Sequence, residues 1–128
     1  MADAVATPTI VGEPDCTQRN ITVYGTVQIG ADPLTYATGG ILMDFTGNDI
    51  LKSDQVPLEV DVFSSPAAGT SPSGYIYQFC PGTTQANGKL AIFQSAGSAA
   101  PLAELSAAPI PAGVSGDTIR FRATFPRL

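Results

Sequence analysis

The stretch Tyr75-Ile-Tyr-Gln-Phe-Cys80, together with Lys89-Leu-Ala-Ile-Phe93, decides the fold class of this chain. Both stretches are short and rich in aromatic and β-branched side chains, which favour strands. Asn87-Gly88 precedes the second stretch and is typical of a reversal, but residues 81–86 make the loop longer than a two-residue turn. We therefore predict a β-hairpin with an extended tip. Its inner face carries three aromatic residues that fill a core: Tyr75, Tyr77 and Phe79.

The same period of two marks other strands. Residues 21–29 place Ile21, Val23, Val27 and Ile29 on one face, and Gly25 on that face predicts a bulge or a close approach of another backbone. Residues 118–125 alternate most regularly, with Ile119, Phe121, Ala123 and Phe125 facing in and Thr118, Arg120, Arg122 and Thr124 facing out. No long helical pattern interrupts these strands. The sequence predicts an all-β fold, an antiparallel β-sandwich of about seven to eight short strands with jelly-roll or immunoglobulin-like connections.

The sequence predicts that the chain is divided into two regions. Residues 1–18 contain prolines and small polar residues without a period, so we expect an extended N-terminal arm, either frayed or ordered on a partner. Residues 19–128 are expected to form the β-sandwich domain. The 128-residue length suits one domain.

Charge and composition limit the classes of partner. The formal net charge is −5 with six basic residues, which makes a poor footprint for a phosphate backbone, so no nucleic-acid partner is expected. No apolar run reaches the length of a membrane span, so no membrane partner is expected either. Charged residues make up 13% of the chain, about half the usual share. Such a surface suits a protein that packs against other proteins.

The residues offer little catalytic chemistry. Histidine is absent, which removes the commonest general base and metal ligand. Glu59 and Asp61 share a strand face and could share a site, but an outward Glu-x-Asp is typical of a solvated face. Asp44, Asn48, Asp49 and Asp54 form a loose acidic cluster without the spacing of a calcium loop. We predict that the protein is not an enzyme and needs no cofactor or metal.

The two cysteines, Cys16 and Cys80, lie far apart in the sequence without metal-ligand spacing. The N-terminal residues show neither a basic region nor a long apolar run, so we expect synthesis in a reducing cytoplasm with both thiols free. Cys80 is expected to be a small buried hydrophobe at the end of its strand.

Five stretches resemble small structural proteins of tailed phages. They are Tyr36-Ala-Thr-Gly-Gly-Ile41, Gly74-Tyr-Ile-Tyr77, Ala86-Asn-Gly-Lys-Leu90, Pro101-Leu-Ala-Glu-Leu105 and Ile110-Pro-Ala-Gly-Val-Ser-Gly-Asp-Thr-Ile-Arg-Phe-Arg-Ala123. The resemblance implies a virion component made in the host cytoplasm, of the head decoration or cement type, which binds the capsid exterior and stabilises its lattice. It also implies the major capsid protein as partner and self-association, commonly as a homotrimer.

Two other functions remain open. A carbohydrate- or receptor-binding module of a virion would use exposed tyrosines among Tyr24, Tyr36 and Tyr75 as stacking platforms. A tail-tube or connector subunit would form a ring of six or twelve. For any of these functions, we predict partner-binding residues in the arm, at the hairpin tip and on the last strand: Ile10, Val11, Pro14, Pro81, Thr83, Thr84, Gln85, Asn87, Arg120 and Arg122.

Overall fold

A computed structural model describes residues 2–46, 55–66, 68, 74–95 and 101–126. In this part of the chain there are nine strands and one helical turn. The strands are β1 (Val5–Ile10), β2 (Asp15–Cys16), β3 (Asn20–Ile29), β4 (Ile41–Met43), β5 (Glu59–Ser64), β6 (Tyr75–Cys80), β7 (Gly88–Ser95), β8 (Leu102–Glu104) and β9 (Ile119–Pro126), and the helical turn α1 is Ala112–Ser115.

The strands form one mixed sheet in the order β5-β9-β3-β1-β4-β7-β6, with β2 added to β3 and β8 added to β7. The end strands β5 and β6 lie against each other, so the sheet curls into a nearly closed barrel. The prediction of an almost wholly β fold is confirmed. The antiparallel sandwich is not: one curled sheet surrounds the core, and β1 pairs with β4 in parallel.

Asp117, just before β9, links the two end strands. Its carboxylate accepts a hydrogen bond from Ser64 Oγ of β5 at 2.8 Å and another from Tyr77 Oη of β6 at 2.8 Å. Charge-assisted hydrogen bonds of this kind are stronger than neutral ones. The Asp117 side chain therefore connects β5 to β6 across the seam of the barrel, by which we mean the line along which these two end strands meet.

The core follows from the alternation of β3 and β9. These strands pair along eight residues, from Asn20 opposite Pro126 to Val27 opposite Ile119, and both turn their large apolar side chains inward. Phe45 is packed edge-on against three other rings, at centroid distances of 5.3 to 5.9 Å: Phe79, Phe121 and Phe125. Edge-to-face packing of this kind is favourable for aromatic rings.

The segment predicted as an arm contributes a strand of the sheet. β1 pairs antiparallel with β3 from Ala6 opposite Ile29 to Ile10 opposite Gly25, and Val5 and Ala6 pair with β4. The inward side chains of this segment are small, at Ala4, Ala6 and Pro8. Pro8 lies beyond the pairing with β4, where its missing N–H is tolerated. The sheet therefore begins well before residue 19.

The hairpin is confirmed, because β6 and β7 pair from Tyr75 opposite Gln94 to Cys80 opposite Lys89. Tyr77 is buried, and Tyr75 and Phe79 are half-buried on the same inner face. The expectation for Cys80 is wrong, since its side chain is exposed together with those of Ile76 and Gln78. Strand alternation places Cys80 outside, and this outweighs the general preference of cysteine for burial.

Candidate partner-binding surface

A groove of about 600 Å³ runs over the outside of the barrel where β5, β9 and β3 lie side by side. The strand register sets its side chains in two rows. Phe63, Arg120 and Thr26 form one row, and Asp61, Arg122 and Tyr24 form the other. We call this surface the outer groove, lined by Val11, Tyr24, Gly25, Thr26, Asp61, Phe63, Arg120, Phe121 and Arg122.

Gly25, one of the lining residues, marks a close approach of two strands. A Cβ atom at this position would lie 1.9 Å from the carbonyl oxygen of Thr9 in β1 and 2.8 Å from the ring of Phe121. Only glycine therefore allows β1 to approach β3 here, which confirms the predicted close approach of another backbone. Beside Gly25, the chain leaves β1 at Val11, whose N–H donates to the carbonyl of Tyr24 at 2.8 Å.

Arg122 is held by two carboxylates of β5. Its Nη2 lies 2.8 Å from Asp61 Oδ2 and 3.3 Å from Glu59 Oε1, and all three side chains are about half exposed or more. The hydrogen bond to Asp61, together with the negative charges of Asp61 and Glu59, raises the pKa of Arg122 above its ordinary value. The Glu-x-Asp pair is thus part of a solvated ion-paired face, in accordance with the interpretation of the sequence.

The predicted partner-binding residues fall at different places. Val11, Arg120 and Arg122 meet in the outer groove. Ile10 is half-buried and packs against the core, and Pro14 is half-buried in the loop before β2. A second, smaller groove of about 300 Å³ lies beside β1 and β4. The predicted residues of the hairpin tip line neither groove.

The hairpin tip is a compact, internally bonded loop. Asn87 Oδ1 accepts hydrogen bonds from the amides of Thr83 and Thr84 at 2.9 Å each, and its Nδ2 donates to Thr83 Oγ1 at 2.7 Å. Gln85 is buried, and its carbonyl accepts from the amide of Phe45. Pro81, Thr83 and Thr84 are exposed and remain available for contact. Asn87 and Gln85 therefore shape the tip, and the exposed residues present its surface.

The three tyrosines considered as stacking platforms differ in exposure. Tyr36 is 1% exposed, and Tyr75 is half-buried and packs over α1. Tyr24 is exposed in the outer groove. The pair of exposed coplanar tyrosines that would favour a carbohydrate site is therefore not formed by these residues.

Tyr36 has a structural role. Its hydroxyl donates to Glu104 Oε2 and accepts the amide of Ile92 at 3.2 Å, and the amide of Gly39 donates to the same Glu104 oxygen at 2.7 Å. Burial, followed by the hydrogen bond to Glu104, raises the pKa of Tyr36 well above its ordinary value. This network fastens β8 and the loop before β4 to β7.

The described residues contain no group of three or more potential metal ligands. Of the acidic cluster considered for calcium, Asp44 accepts hydrogen bonds from the amide and hydroxyl of Thr46, while residues 48, 49 and 54 lie outside the described residues. No helix of this part of the chain is long and apolar enough to cross a membrane.

The main groove residue that sequence reasoning missed is Phe63. Val60 and Val62 predict an inward face for β5, and the alternation then places Phe63 outside with Asp61. The signal was present in the sequence, but a large aromatic residue is usually assigned to the core.

Comparisons with protein-family models, with curated proteins and with solved structures find no match to this chain.

Proposed function

We propose that this protein is a structural component of a tailed-phage virion, a head decoration or cement protein that binds the capsid exterior and stabilises the lattice. Its partners would be the major capsid protein and further copies of itself, assembled as a homotrimer. The proposal rests on the five stretches that resemble structural proteins of tailed phages. One structural observation supports considering these stretches together: they contact one another in the fold.

These contacts connect stretches that are far apart in the sequence. Tyr36 of the first stretch bonds to Glu104 of the fourth, and Ile41 at the end of the first pairs with Leu90 of the third. In the second stretch, Tyr77 donates to Asp117 of the fifth. The residues that resemble phage structural proteins thus determine turns and strand pairings of one β-scaffold. Proteins that share a scaffold would share residues of this kind.

The outer surface suits a protein that bridges several neighbours. Large apolar side chains are exposed on different strands: Val5 and Leu42 opposite each other on β1 and β4, Tyr24 and Phe63 in the outer groove, and Ile76 and Leu102 on β6 and β8. A cement protein must contact more than one subunit, and many weak contacts repeated by lattice symmetry give strong attachment. Exposed apolar residues on several sides supply such contacts.

The test is binding to capsids. Purified protein is mixed with decoration-stripped heads from a panel of tailed phages, sedimented, and imaged by cryo-electron microscopy. We expect extra density at symmetric positions of at least one lattice, and a mass in solution of about 40 kDa for a trimer of 13.2 kDa chains. Failure to bind any lattice, combined with binding on a glycan array, would refute the proposal. A ring of six or twelve chains would favour the tail-tube or connector alternative.

A further inference from the structure

Two arginines on the outer face of β9 have different surroundings. Arg122 is paired with Asp61 and Glu59, whereas Arg120, two residues away on the same face, makes no ion pair or hydrogen bond with any residue that the structure describes. Its cross-strand neighbours are Phe63 and Thr26. The outer groove therefore contains one neutralised and one uncompensated positive charge.

Apolar side chains line the same groove as the uncompensated charge. Tyr24 is 49% exposed, Phe63 47% and Val11 60%, and all three line the outer groove. Covering such surface is favourable by about 25 cal/mol per Å². The guanidinium of Arg120 would be partly desolvated by the same occupant, which strengthens its hydrogen bonds to a carboxylate.

We propose that the outer groove binds an extended peptide segment of a partner protein that carries a single carboxylate, with this carboxylate on Arg120 and an apolar side chain against Tyr24 and Phe63. An arginine fork matches a carboxylate with two parallel hydrogen bonds. In an extended segment, side chains two positions apart lie about 6.6 Å from each other on one face, which matches the spacing of successive outward residues on β9.

The charges at the other end of the outer groove limit the occupant. Asp61 and Glu59 lie beside Arg122 and repel a second negative charge, and the whole chain carries a net charge of −5. A polyanion such as a nucleic acid is therefore disfavoured, and a segment with a single carboxylate next to apolar or neutral residues fits best. The inference goes beyond the proposed function, because it concerns the chemistry of the occupant and holds whether or not the partner is a capsid protein.

The test uses the full chain labelled with ¹⁵N and titrated with capped peptides. The first probe has the sequence Thr-Leu-Thr-Asp-Thr-Thr, and the matched probe replaces its Asp with Asn. We expect the amide signals of Tyr24, Phe63 and Arg120 to shift with the Asp peptide, and the Asn peptide to bind roughly fivefold more weakly.

Protein variants separate charge from shape. Arg120→Gln should abolish the preference for the Asp peptide, whereas Arg19→Gln removes the same charge from an exposed loop outside the outer groove and should preserve it. Phe63→Ala should weaken both peptides to a similar extent. Circular dichroism verifies that each variant is folded.

Three outcomes would overturn the inference. They are equal binding of the two peptides, equal behaviour of the Arg120→Gln and Arg19→Gln variants, and no signal shift at the outer groove with about 10 mM peptide, at which even a ligand with a millimolar Kd is mostly bound. Capsid binding that survives in Arg120→Gln would leave the proposed function intact while showing that it does not depend on the charge of Arg120.

Discussion

Replacing Gly25 with alanine tests the close approach of β1 to β3. In an ordinary strand the change would stabilise the protein by about 0.5–1 kcal/mol, because glycine loses more conformational freedom on folding. Here the new Cβ would lie 1.9 Å from the carbonyl oxygen of Thr9, which belongs to the backbone of the neighbouring strand and cannot rotate away. The structure therefore predicts a change of the opposite sign.

The magnitude follows from what must move. Relieving the contact requires β1 and β3 to separate at the pair formed by Ile10 and Gly25. This weakens one or two backbone hydrogen bonds, each contributing about 1 kcal/mol, and adds packing strain of about 1–3 kcal/mol. After subtracting the entropic gain, we expect the free energy of unfolding to fall by about 1–4.5 kcal/mol, a large share of the 5–15 kcal/mol typical of a domain.

Urea unfolding followed by far-ultraviolet circular dichroism measures this difference, with thermal unfolding as a second measurement. For a chain of this length, a loss of 3 kcal/mol corresponds to a decrease in Tm of roughly 10 °C. Gln28→Ala, an exposed change on the same strand, serves as the control and should change stability by less than about 0.5 kcal/mol. A Gly25→Ala variant as stable as the parent, or more stable, would refute the close approach of β1 and β3.

Three further predictions concern other parts of the fold. Deleting residues 2–10 should abolish cooperative thermal unfolding because β1 lies between β3 and β4, whereas the exposed change Thr7→Ala should preserve it; a truncated chain with an unchanged melting curve would contradict the pairing. Tyr36 keeps its proton in the folded state at a pH where the unfolded chain loses it, so stability should fall as the pH rises above about 10, and Tyr36→Phe should flatten that slope in urea titrations between about pH 9 and 11; equal slopes would contradict its burial. Asn87→Ala should lower stability by about 1–2 kcal/mol and speed hydrogen exchange at the amides of Thr83 and Thr84, with a smaller effect for Asn87→Asp, which keeps the acceptor oxygen; unchanged exchange would show that the tip is held in another way.

The strands with large inward side chains could be predicted from the sequence, and β1 could not. β3, β6 and β9 alternate large apolar and polar residues, so their faces are evident. In β1 the inward residues are Ala6 and Pro8, with Ala4 buried just before the strand, while the larger Val5 faces outward. The usual pattern, in which the large apolar residues face inward, is reversed in this strand because its inward residues are small. In addition, the proline argues against a strand.

Closure of the sheet depends on long-range pairing. Whether β5 lies beside β9 and whether β1 runs parallel to β4 is determined by contacts between distant residues, and the individual stretches contain no information on strand order. The outward direction of Arg120 and Arg122 was predicted correctly from alternation. Their different surroundings were not, because the carboxylates that neutralise Arg122 belong to a strand about 60 residues earlier, a separation for which local patterns give no register.

β9 connects the core, the seam and the outer groove, and its register determines all three. Its inward Phe121 and Phe125 pack on Phe45, and its outward arginines lie in the outer groove. A shift of one residue would turn the arginines into the core and the aromatic rings into water, so the register is strongly specified. Asp117 precedes the strand and reaches β6 across the seam, so the same register also positions the barrel closure. A change that shifts β9 at the seam is therefore expected to displace Arg120 and Arg122 in the outer groove as well.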